Sequence, residues 1–307
     1  MKNIAVLVGG PGSEKKISLI TGQQCHKVLI DLGYHSTIIE VDQNIAAKLE
    51  KTRPDICFNA MHGKWGEDGC IAGLLNILNI PYTHSGVMAS SIGMDKLVTK
   101  KILQSEDIRF PTSKKTNKAK LISGDPLPRP YIVKPSNEGS SLNIYIINNK
   151  YSTPPFTIEN IPFSDTQEVM AEDYIPGREL TVGIIDTAKH GLKALTVSQM
   201  DTDFEFHSFD SKYTQNGSQR ILPAPLPTKV FEQAQEWALK AHKALSCRGA
   251  SRSDFRFDDQ ANRLYMLEIN THPGLTPTSM YPEQAAFCGI SFPDLISGLV
   301  ESARCDQ

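Results

Sequence analysis

What most constrains this chain is the rhythm of its first 87 residues, where short apolar runs alternate with longer amphipathic stretches: Ile4–Val8, Ser18–Leu32, Ser36–Val41, Asn44–Lys51 and Ile56–Asn59. Strand-length runs separated by helical lengths build a parallel sheet with crossover helices on its faces. The rhythm breaks at Pro81 and Gly86. Ala89–Ser105 then reads as one helix, and the Lys- and Pro-rich stretch from Ser113 to Pro130 as loop. From Tyr131 the pattern changes to short strands, Tyr131–Lys134, Ile144–Ile147, Val169–Tyr174 and Thr181–Ile185, interrupted by Pro154, Pro155 and Pro162. That density of short strands is antiparallel and α+β in character.

The last third supplies a strand at Ala194–Val197 and a polar stretch from Met200 to Gln219. A helix follows whose apolar side is Val230, Ala234, Trp237, Ala241 and Leu245, with Thr228 as its N-cap. Ser251–Phe257 and Leu264–Ile269 then frame a hairpin, before a Pro/Thr-rich loop and two closing helices. At 307 residues the chain has room for two domains or three small ones. The reading is mixed α/β and α+β: an N-terminal doubly wound parallel-sheet unit over 1–87, a central unit over 88–174 and a C-terminal unit over 175–307.

Composition removes several function classes. With 32 Lys and Arg against 34 Asp and Glu, and 40% hydrophobic residues, the chain is neither a polybasic nucleic-acid binder nor a disordered tail. The apolar run at Ile4–Val8 is too short for a secretory signal or a membrane span, so the expected location is the cytoplasm. Six dispersed cysteines form no C-x-x-C pair and are expected as reduced, mostly buried thiols. Eight histidines are scattered without an H-x-x-x-H, and none carries a metal reading by spacing.

Three segments carry chemistry. Val8-Gly9-Gly10-Pro11-Gly12-Ser13-Glu14 follows the first strand and leads into a helix. It matches neither G-x-G-x-x-G nor G-x-x-x-x-G-K-[ST], and is equally an ordinary strand-to-helix turn with Glu14 at the helix N-terminus. Lys134-Pro135-Ser136-Asn137-Glu138-Gly139-Ser140-Ser141 puts a lysine at the head of a small-residue loop suited to phosphate oxygens, or forms a plain hairpin turn. The third is Asp254, Glu268 and Asn270 on two adjacent strands. Glu268 and Asn270, two apart, share a face, and their oxygens are the donors a hard divalent cation takes. Arg252 lies two residues from Asp254 on the same side. The alternative for this third group is a solvated polar face with an Arg252–Asp254 pair.

Longer motifs connect these segments. His62-Gly63-Lys64-Trp65-Gly66-Glu67-Asp68-Gly69, the run from Tyr82 to Lys96, Lys134 to Ser141, and Glu268-Ile269-Asn270-Thr271-His272-Pro273-Gly274 together resemble the D-alanine–D-alanine ligases of the ATP-grasp superfamily. The resemblance implies a three-part ATP-grasp fold and an ATP-dependent joining of two D-alanines through a D-alanyl phosphate, for peptidoglycan precursor synthesis. It implies adenine near Glu172, Asp173, Tyr174 and Ile175, ribose at Glu179, and phosphates at Lys96 and Lys134. Two Mg²⁺, for which Mn²⁺ can substitute, would be held by Asp254, Glu268 and Asn270. Glu14 would take the first ammonium with His62 beside it, and Arg252 and the Gly274 N–H would form an oxyanion hole. Lys212, Ser279 and Met280 would meet the second carboxylate. Ser140 and Tyr213 would tie Glu14 to an omega loop, expected as the most mobile part of the free protein, and the family forms homodimers.

The nearest rival reading is another ATP-grasp ligase that joins D-alanine to a D-hydroxy acid or to a different amino acid, and Lys212-Tyr213 argues against the depsipeptide version. A non-catalytic binding protein on the same fold would not need Glu14, Arg252 and Gly274 together, and a Rossmann oxidoreductase would need a glycine fingerprint that is missing. Four local departures stand out against the family pattern: Pro11-Gly12 before Glu14, Leu142-Asn143 after the serine pair, and Ser253 and Arg256 beside Asp254.

Overall fold

The computed structural model describes every residue except 13, 138–142, 149–151, 154–160, 202–218, 277–278 and 307. Strands β1 (Asn3–Gly9), β2 (His35–Val41) and β3 (Ile56–Asn59) form a parallel sheet in the order β2-β1-β3. Helices α1 (Lys15–Asp31) and α2 (Ile45–Thr52) are the crossovers. The run Ile4–Val8 is continuously apolar because both faces of β1 are covered. Ile4, Val6 and Val8 pack on one side with Cys25 and Leu29 of α1. Ala5 and Leu7 pack on the other with Leu49 of α2 and Ile71 of α3 (Cys70–Ile77). Contact between α1 and β1 is close: a β-carbon on Gly22 would collide with Val8 Cγ1. Gly22→Ala is therefore expected to destabilise by about 1–3 kcal/mol despite the better helix propensity of alanine. A thermal midpoint equal to or above that of the unmodified chain would contradict this packing.

The expected single helix over 89–105 is two, α4 (Val87–Met94) and α5 (Lys96–Gln104). Asp95 leaves the helical region (φ −91, ψ 100), and its carboxylate accepts from the N–H groups of Leu97 and Val98, each at 3.0 Å. A good N-cap thus restarts the chain where periodicity alone runs on. The stretch 113–130 is not loop throughout: it holds β4 (Ser113–Thr116) and α6 (Lys118–Ser123), the latter capped by Asn117. With β5 (Tyr131–Pro135), β6 (Tyr145–Ile147), β7 (Ser152–Thr153) and β8 (Val169–Asp173), β4 makes an antiparallel sheet ordered β4-β8-β5-β6-β7.

The third sheet is antiparallel, β11-β10-β9-β12-β13, built from β9 (Arg178–Thr187), β10 (Gly191–Asp201), β11 (Gln219–Ile221), β12 (Gly249–Asp258) and β13 (Arg263–Asn270). Helix α7 (Thr228–Ala244) packs on it through Val230, Ala234, Trp237 and Ala241, as the periodicity indicates. Its N-cap is Pro227 rather than Thr228, which is the first helical residue, and no side chain caps it. The closing helices are α8 (Met280–Phe287) and α9 (Phe292–Glu301).

Packing crosses between the sheets. Ala89 and Leu103, from α4 and α5, share a core with Val182 of β9 and Phe255 of β12. Tyr281, Leu295 and Leu299 of the closing helices share one with β1. These shared cores hold the first and third sheets together and set the motif loops of one against those of the other. Among the described residues no helix is long and apolar enough to cross a membrane. All six cysteines are free, but only Cys25, Cys57 and Cys247 are buried, and Cys70 and Cys288 are exposed.

Candidate active site

Antiparallel pairing sets Arg252 opposite Asn270 and Asp254 opposite Glu268. Opposed residues share a face, so these four side chains converge. Immediately beyond, the register slips and Phe255 faces Met266, a bulge of the kind that re-aims side chains beside a site. Asp254 accepts from Thr181 Oγ1 at 2.7 Å and from Arg252 Nε and Nη2 at 2.9 and 2.8 Å. The Arg252–Asp254 pair expected of the plain alternative does form, yet it is not solvated: the side chains are 15% and 11% exposed. Such a two-pronged contact fixes the plane of the guanidinium. Glu268 pairs with Lys96 Nζ at 3.1 Å, and Asn270 Oδ1 accepts from the His272 N–H at 2.7 Å while keeping a second lone pair.

This donor set fits a divalent cation. Two carboxylates and an amide oxygen on one face are hard oxygen donors of the kind Mg²⁺ takes, with water and phosphate completing the shell. Among the described residues no three His, Cys, Asp or Glu side chains gather as an all-protein metal cage.

Three basic side chains, Lys96 and Lys100 of α5 and Lys134 of the central sheet, meet the acidic ones. Glu172 of β8, fully buried, is held by Lys134 Nζ of β5 and Lys100 Nζ of α5, both at 2.6 Å. Burial alone would raise the Glu172 carboxyl, but the two lysines overcome it and hold the group below the usual carboxylate range. Burial would likewise lower Lys134, and Glu172, Glu268 and Glu179 reverse it, so Lys134 stays charged. Lys100, whose ammonium also donates to the Pro111 carbonyl, is pulled down by burial that Glu172 only partly offsets. The Lys96 N–H donates to the Ser136 carbonyl at 3.0 Å, tying α5 to the strand that carries Lys134. Sequence reading missed Lys100, although its spacing of four from Lys96 puts both on one helix face.

Asp173, Tyr174 and Ile175, half-buried, lead from β8 toward β9, where Glu179 sits in register with Arg256. Arg256, a departure from the family pattern, braces this crossing: it donates to the Gly177 carbonyl at 2.8 Å and lies over the Tyr174 ring. Gly177 is required there, since its φ is +97 and a β-carbon would strike the Phe257 carbonyl. Asn143 at φ +58 takes the left-handed conformation that asparagine tolerates better than most residues. The Ser253 hydroxyl is buried without a hydrogen-bond partner among the described residues, and nothing in the structure explains this departure.

At the other end of the site, Glu14 begins α1 without capping it. Its carboxylate is buried against Gly63, where any β-carbon would collide with it. His62, next along, bonds Glu67 Oε1 at 3.1 Å and Thr21 Oγ1 at 2.9 Å. The ring of His62 meets that of His272 edge-on at 5.8 Å, and this contact joins the N-terminal motif to the turn bearing Gly274. A β-carbon on Gly274 would lie 3.0 Å from Ser279 Oγ, which closes the turn through Thr276, and Met280 opens α8 behind it. The described candidates therefore run from Glu14 through His62 and Gly274 to the acidic group and the lysines. Ser140, Lys212 and Tyr213, with the expected omega loop, lie outside the described residues.

His84 was also missed by the sequence reading; it is buried against His272 with rings stacked at 3.8 Å. Burial, with His62 and Arg248 nearby, pushes its pKa down from 6.5 to about 3. Below pH 6.5 the unfolded chain takes a proton that the folded one refuses, so this stability is complete above 6.5 and is lost as pH falls. Urea unfolding at pH 5.5 and 7.5 is expected to show about 1 kcal/mol more loss for the unmodified chain than for His84→Gly. Equal losses would contradict it.

Comparison with known proteins points one way. A family model described as the D-ala D-ala ligase C-terminus matches residues 101–301, and one for the N-terminus matches residues 35–85. The chain is 46% identical to the D-alanine–D-alanine ligase of Rhodospirillum rubrum and 42% identical to that of Paramagnetospirillum magneticum, with 99% of each chain covered in both cases. It superposes on the crystal structure of D-alanine–D-alanine ligase from Bacillus anthracis with a TM-score of 0.82 at 31% identity, covering 98% of this chain and 97% of that one. A second structure of that protein, complexed with ATP, gives 0.79 at 29% identity with the same coverage.

Proposed function

The chain belongs to the D-alanine–D-alanine ligase family, and from that premise we propose that it uses ATP to join two D-alanines into D-alanyl-D-alanine for peptidoglycan precursors. The observation that carries this is the pairing of Asp254 with Glu268 across β12 and β13, with Arg252 on one carboxylate and Lys96 on the other. Cations and carboxylates gathered at one sheet end suit a phosphoryl transfer, in which positioning and charge neutralisation do most of the catalysis.

In this reading Glu14 takes the ammonium of the first D-alanine beside His62. The carboxylate oxygen of that D-alanine attacks the γ-phosphorus of ATP, giving D-alanyl phosphate and ADP. Lys96 and Lys134 hold the phosphates, and Glu179 the ribose. With the Glu172 carboxylate engaged by two lysines, we assign it to fixing Lys134 and leave the base to Asp173, Tyr174 and Ile175. Asp254, Glu268 and Asn270 would hold two Mg²⁺, which when bound neutralise phosphate charge. The amine of the second D-alanine, its carboxylate at Lys212, Ser279 and Met280, attacks the acyl carbonyl. Arg252 and the Gly274 N–H stabilise the oxyanion, which collapses to the peptide with loss of phosphate and a proton. Ser140 and Tyr213 would link Glu14 to a closing loop. We further propose a cytoplasmic homodimer.

Phosphate release from ATP tests the reading. Release dependent on D-alanine, weak with L-alanine, and D-alanyl-D-alanine as the main product when D-alanine and D-lactate compete, would support it. Depsipeptide as the main product would overturn the substrate assignment.

A further inference from the structure

His84 carries a β-carbon at φ +73, in the left-handed region that favours glycine. A backbone outlier of this kind persists only where its surroundings over-determine it, and here they do. The His84 carbonyl accepts from Arg248 Nε at 2.7 Å, its Nδ1 bonds Thr83 Oγ1 at 2.9 Å, and the edge of Phe58 meets its ring. The outcome of this bracing is the position of one imidazole face, stacked on His272 at 3.8 Å and 22°.

His272 is the middle of the turn from Asn270 to Gly274. Its N–H is held by Asn270 Oδ1, its Nδ1 faces Asn59 Nδ2 at 3.4 Å, and its edge meets His62. The same Asn59 amide donates to the Gly66 carbonyl, so the ring is referenced to the His62–Glu67 loop. The Nε2 atoms of both rings are buried without a hydrogen-bond partner among the described residues. The rings are thus held by shape and stacking at those ends, and the contact spans residues 188 positions apart, from one motif loop to another.

We propose that the stacked pair His84–His272 is a positioning element that holds the 270–275 turn so that the Gly274 N–H stays aimed at the developing oxyanion. The inference rests on the ligase reading above. Neither histidine touches the reacting atoms. Their loss should spare acyl phosphate formation, which needs the lysine and acidic groups, and slow the attack of the second amine, which needs the oxyanion donor.

The two half-reactions can be read separately in the full-length chain. With ATP carrying ¹⁸O in the β,γ-bridge, reversible acyl phosphate formation lets the ADP β-phosphate rotate and scrambles the label, while mass spectrometry counts dipeptide. The ratio of dipeptide formation to D-alanine-dependent scrambling is unaffected by partial unfolding, which lowers both. In His84→Gly and His272→Ala the ratio is expected to fall about tenfold or more, within what loss of one oxyanion donor can do. The double variant should fall no further than the worse single one, because both remove the same contact. An unchanged ratio, or single effects that multiply in the double variant, would overturn the proposal. Absence of both dipeptide and D-alanine-dependent scrambling in the unmodified chain would overturn the ligase reading, and this inference with it.

Discussion

Asp254→Asn is expected to lower turnover about a thousandfold, equivalent to ~4 kcal/mol of transition-state stabilisation, with a much smaller effect on folding. The asparagine keeps an oxygen for Thr181 Oγ1 and one Arg252 contact, so the local hydrogen bonding survives in part. What disappears is one of two carboxylate charges that face each other across β12 and β13. Without it, a divalent ion is bound more weakly against the triphosphate, and Arg252 is no longer held in a two-pronged contact that orients it. Both losses fall on the chemical steps. Glu268→Gln should behave in the same direction, with the added release of Lys96 from its 3.1 Å partner. Initial rates over a range of Mg²⁺ concentrations, beside melting curves of the same preparations, decide the matter. Near-normal activity of either variant at saturating Mg²⁺ would remove the metal assignment.

The parts of the fold that the sequence makes legible are those where one physical signal dominates. Ile4–Val8 and Ile56–Phe58 are apolar throughout because they are covered on both faces, and α7 has a clean 3.6-residue stripe. The break at Asp95 was hidden because its cap is a local hydrogen-bonding choice inside an unbroken helical pattern. Strand β4 was hidden because it is an edge strand whose exposed Lys114 and Lys115 look like loop, a normal way of protecting a sheet edge. Within the site, Glu268 and Asn270 could be read from the two-residue spacing, since the pleat puts them on one face, while Asp254 joins them through the register of the β12–β13 hairpin. The lysine arrangement could not: Lys100 and Glu172 are 72 positions apart, and only the packing of α5 against the central sheet brings them to 2.6 Å. The histidine stack has the same character, visible as residues within motifs but not as a contact.

Glu172→Gln should have the largest effect on stability, about 3–5 kcal/mol, because it removes the one negative charge shared by two buried ammonium groups. Glu172 is 1% exposed and the side chains of Lys100 and Lys134 are 4% and 9% exposed, so water cannot take over from the lost carboxylate. Lys100, already pulled down by burial, would shed its proton most readily, and Lys134 would lose the anchor that aims it, so a higher KM for ATP should accompany the instability. Acid supplies the internal control. Because the folded carboxyl sits below its ordinary value of roughly 4.3, its contribution is complete above that value and is lost as pH falls through the folded pKa. The stability gap between the unmodified chain and Glu172→Gln should therefore shrink below about pH 4 as Glu172 protonates, and narrow again as pH rises through neutrality, where Lys100 of the variant is neutral when folded and charged when unfolded. Urea unfolding across that range measures it. A gap under ~1 kcal/mol at pH 7 would mean that the triad contributes little net charge stabilisation, and that the two lysines are held in place by their apolar surroundings alone.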